Sequence, residues 1–160
     1  MFYLDVSRSF DIQTPPWNDI TPNAGIPFKS SWSTASLSNI NNEQTIYLFG
    51  GLSIDLITNE DYFVSVIYSF NLNSLKWEVP TAVKGKSPER RVNVRSVSDN
   101  TGKMYIFGGA ADIYISSPTT IYFNDMVIFN TVELLWSNIA NAPSAQVGYS
   151  ATLLPNGFIV

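Results

Sequence analysis

The chain has 160 residues, with 13 acidic against 9 basic side chains and a net charge of −4, which argues against a general binder of nucleic acid or anionic membrane, since those partners need a basic face. Hydrophobic residues reach 45% and charged residues only 14%, the reverse of a disordered composition. His and Cys are both absent, so zinc fingers, thiol redox centres, cysteine nucleophiles and His-based triads cannot be built from this chain alone, although a site made only of carboxylates can.

In chain order, residues 2–6 and the residues around Trp17 read as two short strands. Residues 31–37, 45–50, 65–71 and 76–80 read as four more, and residues 92–98, 103–108, 126–130 and 135–139 as a second set of four. Residues 147–154 and 157–160 repeat the start of a set. The connectors are rich in Asn, Ser, Gly and Pro, the residues that turns favour. No stretch shows a helical period of 3.6, and no uninterrupted apolar run is long enough to span a membrane as a helix.

The two sets carry the same landmarks. Ile46-Tyr47-Leu48-Phe49-Gly50-Gly51 recurs as Met104-Tyr105-Ile106-Phe107-Gly108-Gly109, 58 residues later. Trp17, Trp77 and Trp136 stand 60 and 59 residues apart. A period of that length marks a repeat architecture. Both odd and even positions are apolar along Ile46 to Phe49 and along Met104 to Phe107, so both faces of each sheet must be covered. Four-stranded sheets stacked on copies of themselves satisfy this as propeller blades. A β-sandwich is the alternative, but it predicts cleaner alternation and no periodic tryptophan.

Four strands per unit, a strand ending in Gly-Gly and a Trp opening the last strand resemble the kelch repeat. The residues that carry the likeness are Gly50-Gly51, Gly108-Gly109, Tyr68, Trp77 and Trp136. The opening FYLDVSRSFDIQTPPWNDIT also resembles fungal kelch proteins of galactose-oxidase-like type. The expected fold is therefore all-β: a single kelch-repeat region over residues 1–160, with a partial blade at 1–21, blades at 27–80 and 88–139, and a partial blade at 145–160. Propellers close with roughly 4–8 blades, so the chain is expected to be a piece of a longer propeller. Its open blade edges would allow self-association.

The resemblance implies a non-catalytic propeller segment that acts as a protein-interaction scaffold. The alternative is a part of a galactose-oxidase-like or carbohydrate-binding propeller whose active residues lie outside this chain. The copper site of such an oxidase takes two histidines, a tyrosine and a cysteine-linked tyrosine, and this chain supplies no His or Cys. No cofactor, nucleic acid or membrane segment is expected, and a protein partner is. Candidate partner-binding residues sit mainly in the connections, where propellers carry function on a rigid scaffold. Asp55, Glu60 and Asp61 lie in the connection 52–63, and Asp112 and Tyr114 in the connection 110–124. Lys84, Lys86 and Arg91 belong, with Arg90 and Arg95, to a basic cluster in the connection from the fourth strand to the next first strand; the alternative that the kelch resemblance implies is a solvated loop in which Arg90 or Arg91 takes a packing position. Trp32 stands off the tryptophan period, at the start of an inner strand. Trp32 is expected to face the central channel, and because in a meander the two-to-three and four-to-one connections leave at one end, the residues of the connections are expected to share one exposed face. Tyr149 and Asn93 are expected to occupy the place of Trp32 in their own units.

Overall fold

A computed structural model describes residues 1–62, 64–111 and 120–160, apart from the side chains of 138 and 139. Two four-stranded antiparallel sheets dominate it. The first blade is β3 (Phe28–Ile40), β4 (Glu43–Asp55), β5 (Ile67–Asn71) and β6 (Lys76–Glu78), in that order across the sheet. The second is β7 (Arg95–Ser98), β8 (Lys103–Phe107), β11 (Asp125–Asn130) and β12 (Leu135–Asn141), again in sequence order across the sheet. Ahead of them, β1 (Phe2–Leu4) pairs with β2 (Trp17–Asp19), and one helical turn, α1 (Thr21–Ala24), follows. The short pair β9 (Ala110–Ala111) and β10 (Ile121–Tyr122) roots the 110–124 connection. Past β12, Thr152 and Val160 exchange backbone hydrogen bonds and Leu153 bridges Ile159, so residues 152–160 form a small hairpin.

Alternation along the strands sends one face of each blade toward the other, because successive side chains point to opposite faces. From the first blade come Thr34, Ser36, Ser38, Tyr47 and Phe49. From the second come Ser96, Met104, Ile106, Val127, Phe129 and Trp136. Tyr47, Phe49, Ile67, Val94, Met104, Ile106, Val127, Phe129 and Trp136 form a buried cluster between the sheets. Its aromatic centre is Trp136, 4.5 Å from Phe129 and 5.7 Å from Phe49, ring centre to ring centre. Each such fully buried side chain contributes about 1.5–3 kcal/mol.

Nearer the innermost strands the same face turns polar. Thr34 and Ser36 reach Ser96 at 3.0 and 3.1 Å, and Ser38 reaches Thr131 at 2.8 Å. Small hydroxyls fit where the two blades converge, and Thr34, Ser36, Ser38, Ser96 and Thr131 each find a partner there, as most buried polar groups do.

The three periodic tryptophans show what a neighbouring blade does. Trp136 packs against the complete first blade and is 4% exposed, whereas Trp17, in the two-stranded β1–β2 sheet, is 62% exposed. Trp77 is half-buried, resting on Phe70 of its own blade at 5.0 Å. The repeat position is the same, and the burial follows what packs against it.

Candidate functional site

The diglycines set the geometry of the loop end. Gly50 and Gly51 have φ of 66° and 79°, and Trp32, opposite them on β3, has φ of 58°. Positive φ is ordinary for glycine and uncommon for a bulky residue. The ladder is interrupted here, with Trp32 and Gly51 left out of the register, and beyond them residues 28–31 pair with 52–55 as an arm. The backbone N–H of Gly51 donates to the carbonyl of Arg91 at 2.7 Å, and that of Gly109 donates to Gln146 at 2.9 Å. Each diglycine thus docks the connection into the following unit. A Cβ on Gly50 would run into the Arg91 carbonyl oxygen, and one on Gly108 into that of Gln146.

A second backbone series runs across the innermost strands. Asn93 N–H donates to Trp32 C=O at 3.1 Å, and Gly148 N–H donates to Asn93 C=O at 3.0 Å. Asn93 and Gly148 have φ of 54° and 64°, matching Trp32. The counterpart of Trp32 in the last unit is therefore Gly148 and not Tyr149. The aromatic side chain at 149 suggested the match, but the backbone conformation decides it. Tyr149 instead bonds the Phe107 carbonyl through its hydroxyl and stacks edge-on against Phe107.

Trp32 is 42% exposed at this end. Beside it buried Phe28 packs against both Tyr62, stacked at 5.1 Å, and Tyr68, tilted at 4.5 Å, and the two tyrosines lie 6.4 Å from each other. The connection above is organised by Asp55, whose carboxylate accepts backbone N–H bonds from Ile57 and Thr58 at 2.7 and 2.8 Å. Those bonds, Thr58 first, hold its carboxyl below the ordinary carboxylate range. Asp55 thus shapes the turn, while Glu60 and Asp61 present their side chains to solvent. Lys29 reaches Asn59 at 3.2 Å. Asp61 also acts on Arg90: burial pulls that guanidinium down, and Asp61, then Tyr68, oppose it. Trp32, Asp55, Glu60 and Asp61 therefore share one end of the first blade.

The basic residues do not join them as a group. Arg91 is 3% exposed, so the expectation that it is available to a partner is corrected. Its guanidinium forms a forked pair with Asp125 at 2.5 and 2.7 Å, donates to the Gly108 carbonyl at 3.0 Å and lies 4.0 Å from the Phe123 ring centre. Planar bidentate geometry and ring stacking are what arginine supplies in buried sites. Arg90 donates to the carbonyl of Gly51, so both arginines fasten the blade junction. Lys84 is exposed, but its backbone pairs with Leu134 and Trp136 at 2.7 and 2.9 Å. Those partners lie where β12 begins, whereas Asp125, the partner of Arg91, pairs with Asn141 where β12 ends. Lys84 and Arg91 thus stand at opposite ends of the second blade's outer strands, which corrects the expectation of a shared face. The chain between them climbs the outside of the blade, parallel to β12. Lys86 is exposed on that climb. Asp112 and Tyr114 lie outside the described residues.

The packing role that the kelch resemblance offered Arg90 or Arg91 is filled by both, whereas sequence reasoning missed the part played by Tyr62. The signal for Tyr62 was its place beside Phe28 and Tyr68 in an aromatic set that only the arm assembles. Among the described residues, no three His, Cys, Asp or Glu side chains are close enough to hold a metal ion together. No helix of the described residues is long and apolar enough to cross a membrane.

Comparison with known proteins follows the same lines. Residues 3–160 match the family described as the KLHDC2/KLHL20/DRC7 Kelch-repeats domain. Kelch domain-containing protein 3 of Bos taurus is 26% identical over 146 residues, which is 90% of this chain and 36% of that protein. Its Homo sapiens counterpart is 26% identical over 147 residues, again 90% of this chain and 36% of that protein. Kelch repeat-containing protein 2 of Saccharomyces cerevisiae is 34% identical over 68 residues, 40% of this chain and 7% of that protein. The chain thus spans about a third of the length of the first of these relatives. Among solved structures, that of YjhT superposes with a TM-score of 0.50 at 23% identity, covering 86% of this chain and 34% of its own. That likeness concerns the fold alone.

Proposed function

The chain belongs to the kelch-repeat family, and from that premise we propose that it is a non-catalytic propeller segment that serves as a protein-interaction scaffold. The contact surface is the end of the first blade that carries Trp32 and the 55–61 connection. The observation that carries this reading is Trp32 itself. The positive φ is shared by Asn93 and Gly148 in the following units, but only the first blade places a large aromatic there, and it is left 42% exposed. Tryptophan is also the residue most often found as an anchor in protein interfaces. Glu60 and Asp61 supply an acidic rim, which steers a basic partner and sets the salt dependence of its association.

The test compares partner capture by the parent chain with capture by Trp32→Ala and by Glu60→Lys/Asp61→Lys. Trp32→Ala should raise the dissociation rate of a captured partner by tenfold or more, as loss of an interface anchor does. The charge reversal should chiefly lower the association rate at low salt. Unchanged binding in both variants, with loss on substitution of Asn73 or Asn100 at the opposite end, would overturn the reading.

A further inference from the structure

The climb from β6 to β7 is fastened at two points and open between them. Lys84 is paired with β12 through its backbone, and Arg91 is buried in its clamp on Asp125 and Gly108. Among the described residues, the backbone of 86–89 takes part in no backbone hydrogen bond. Lys86, Ser87 and Glu89 are exposed. Pro88 has no N–H to give and biases Ser87 toward an extended conformation. The Ser87 hydroxyl has a single, long contact, to the Pro88 carbonyl at 3.4 Å, so the fold does not hold it. Ser87 lies on the rim of a cleft of about 410 Å³ shared with Ser65, Pro80, Val83 and Trp136.

Four serines or threonines in the chain precede a proline: Thr14, Thr21, Ser87 and Ser117. Thr21 opens α1 and is bonded to Asp19 and to the N-terminus. Thr14 is folded into a turn by a backbone bond to Asp11 at 3.1 Å. Ser117 lies outside the described residues. Of the three described, only Ser87 combines a backbone free of backbone hydrogen bonds, an untethered hydroxyl and flanking cations.

We propose that Ser87 is a phosphorylation site for a proline-directed serine/threonine kinase. The kinase transfers the γ-phosphoryl group of ATP to Ser87 Oγ. The bond from that phosphorus to the β,γ-bridging oxygen breaks, the new bond to Oγ forms, ADP leaves, and the hydroxyl proton passes to the kinase's base. The consequence is electrostatic. Lys84, Lys86 and Arg90 against Glu89 give the stretch a net charge of +2, and a phosphoserine brings about −1.5 to −2 at neutral pH. Modification therefore cancels most of the positive charge of this stretch. Any attraction of the stretch for acidic groups should weaken with it. The modification stands independently of the binding surface proposed above.

The experiment treats the folded 160-residue chain with a proline-directed kinase and ATP and maps phosphate by mass spectrometry. One phosphate at Ser87 is expected, with Ser87→Ala unmodified there and the initial rate for Pro88→Ala at least tenfold lower. Both variants should melt with the parent, since neither residue is packed in the core. A preference for Thr14, Thr21 or Ser117 would overturn the proposal, as would an unchanged rate for Pro88→Ala. Modification of a free 82–92 peptide without modification of the folded chain would also overturn it. Retention on a poly-glutamate column reads the charge separately: the phosphorylated chain should elute at lower salt than the parent. If Ser87 is phosphorylated and elution does not move, the charge consequence fails and the modification site stands.

Discussion

Replacing Arg91 with alanine should destabilise the protein by about 3 kcal/mol. The substitution removes a forked ion pair to Asp125, a hydrogen bond to the Gly108 carbonyl and a contact with the Phe123 ring. Deleting one partner of a buried pair costs about 3–5 kcal/mol, because the other charge stays behind without compensation. Asp125 keeps 23% exposure, so water recovers part of that loss and the low end of the range applies. For a chain of this size 1 kcal/mol corresponds to roughly 2–4 °C in Tm, and circular dichroism should therefore show a fall of about 6–12 °C. Lys84→Ala, at an exposed side chain, should change stability by no more than about 0.5 kcal/mol. Asp125→Ala should destabilise too, and the double variant should cost less than the two singles together by about 0.5–3 kcal/mol. A Tm for Arg91→Ala within about 2 °C of the parent, or strictly additive singles, would refute the claim that this arginine is a structural clamp.

Gly50→Ala should be far more damaging than Gly148→Ala. Both glycines have positive φ, but a Cβ at 50 meets the Arg91 carbonyl whereas one at 148 meets nothing within 4 Å. Urea denaturation should show about 1–2 kcal/mol for Gly148→Ala, the cost of a left-handed alanine, and a clearly larger loss for Gly50→Ala. Acid should loosen the β7–β8 turn. Burial pushes the Asp99 carboxyl up, but bonds from Thr101, Lys103 and Tyr105 outweigh it and hold the carboxyl below the ordinary range. A depressed carboxylate stabilises the fold above its unfolded pKa of about 4 and loses that contribution as pH falls through the folded value. Asp99→Asn should accordingly flatten the fall in Tm below about pH 4. Finally, Leu37 is 47% exposed and Trp17 62% exposed on the side where no complete blade precedes. Sedimentation of the isolated chain should show concentration-dependent association that Leu37→Lys weakens; a monomer at every concentration would contradict this.

The blades were legible because their signals are local and repeated. The Tyr47–Phe49–Gly50–Gly51 set and its copy at Tyr105–Phe107–Gly108–Gly109 fixed the second strand of each blade, and the tryptophan period fixed the fourth. The β3–β4 arm was not legible, since residues 52–55 look like loop and become strand only by pairing with 28–31. The packing of Arg91 was legible only in part: the kelch resemblance offered that role to Arg90 or Arg91, but nothing named the partner. Five basic residues within 12 positions read as a solvated cluster, but a chain that climbs one outer strand separates Lys84 from Arg91 by the height of a blade. Burial of Arg91 depends on Asp125, 34 residues away in sequence, and no local pattern announces that pairing. Glu60 and Asp61 were legible as exposed because the turn that carries them is built by Asp55, whose side chain folds locally onto the next residues.

Hydrogen exchange of the chain, alone and bound to a protein partner it captures, tests the proposed surface most directly. Binding at the loop end predicts slowed exchange confined to residues 29–33 and 55–62, with the turns at 72–75 and 99–102 unchanged. Slowed exchange at those turns, with Trp32 and the 55–61 connection unaffected, would contradict it.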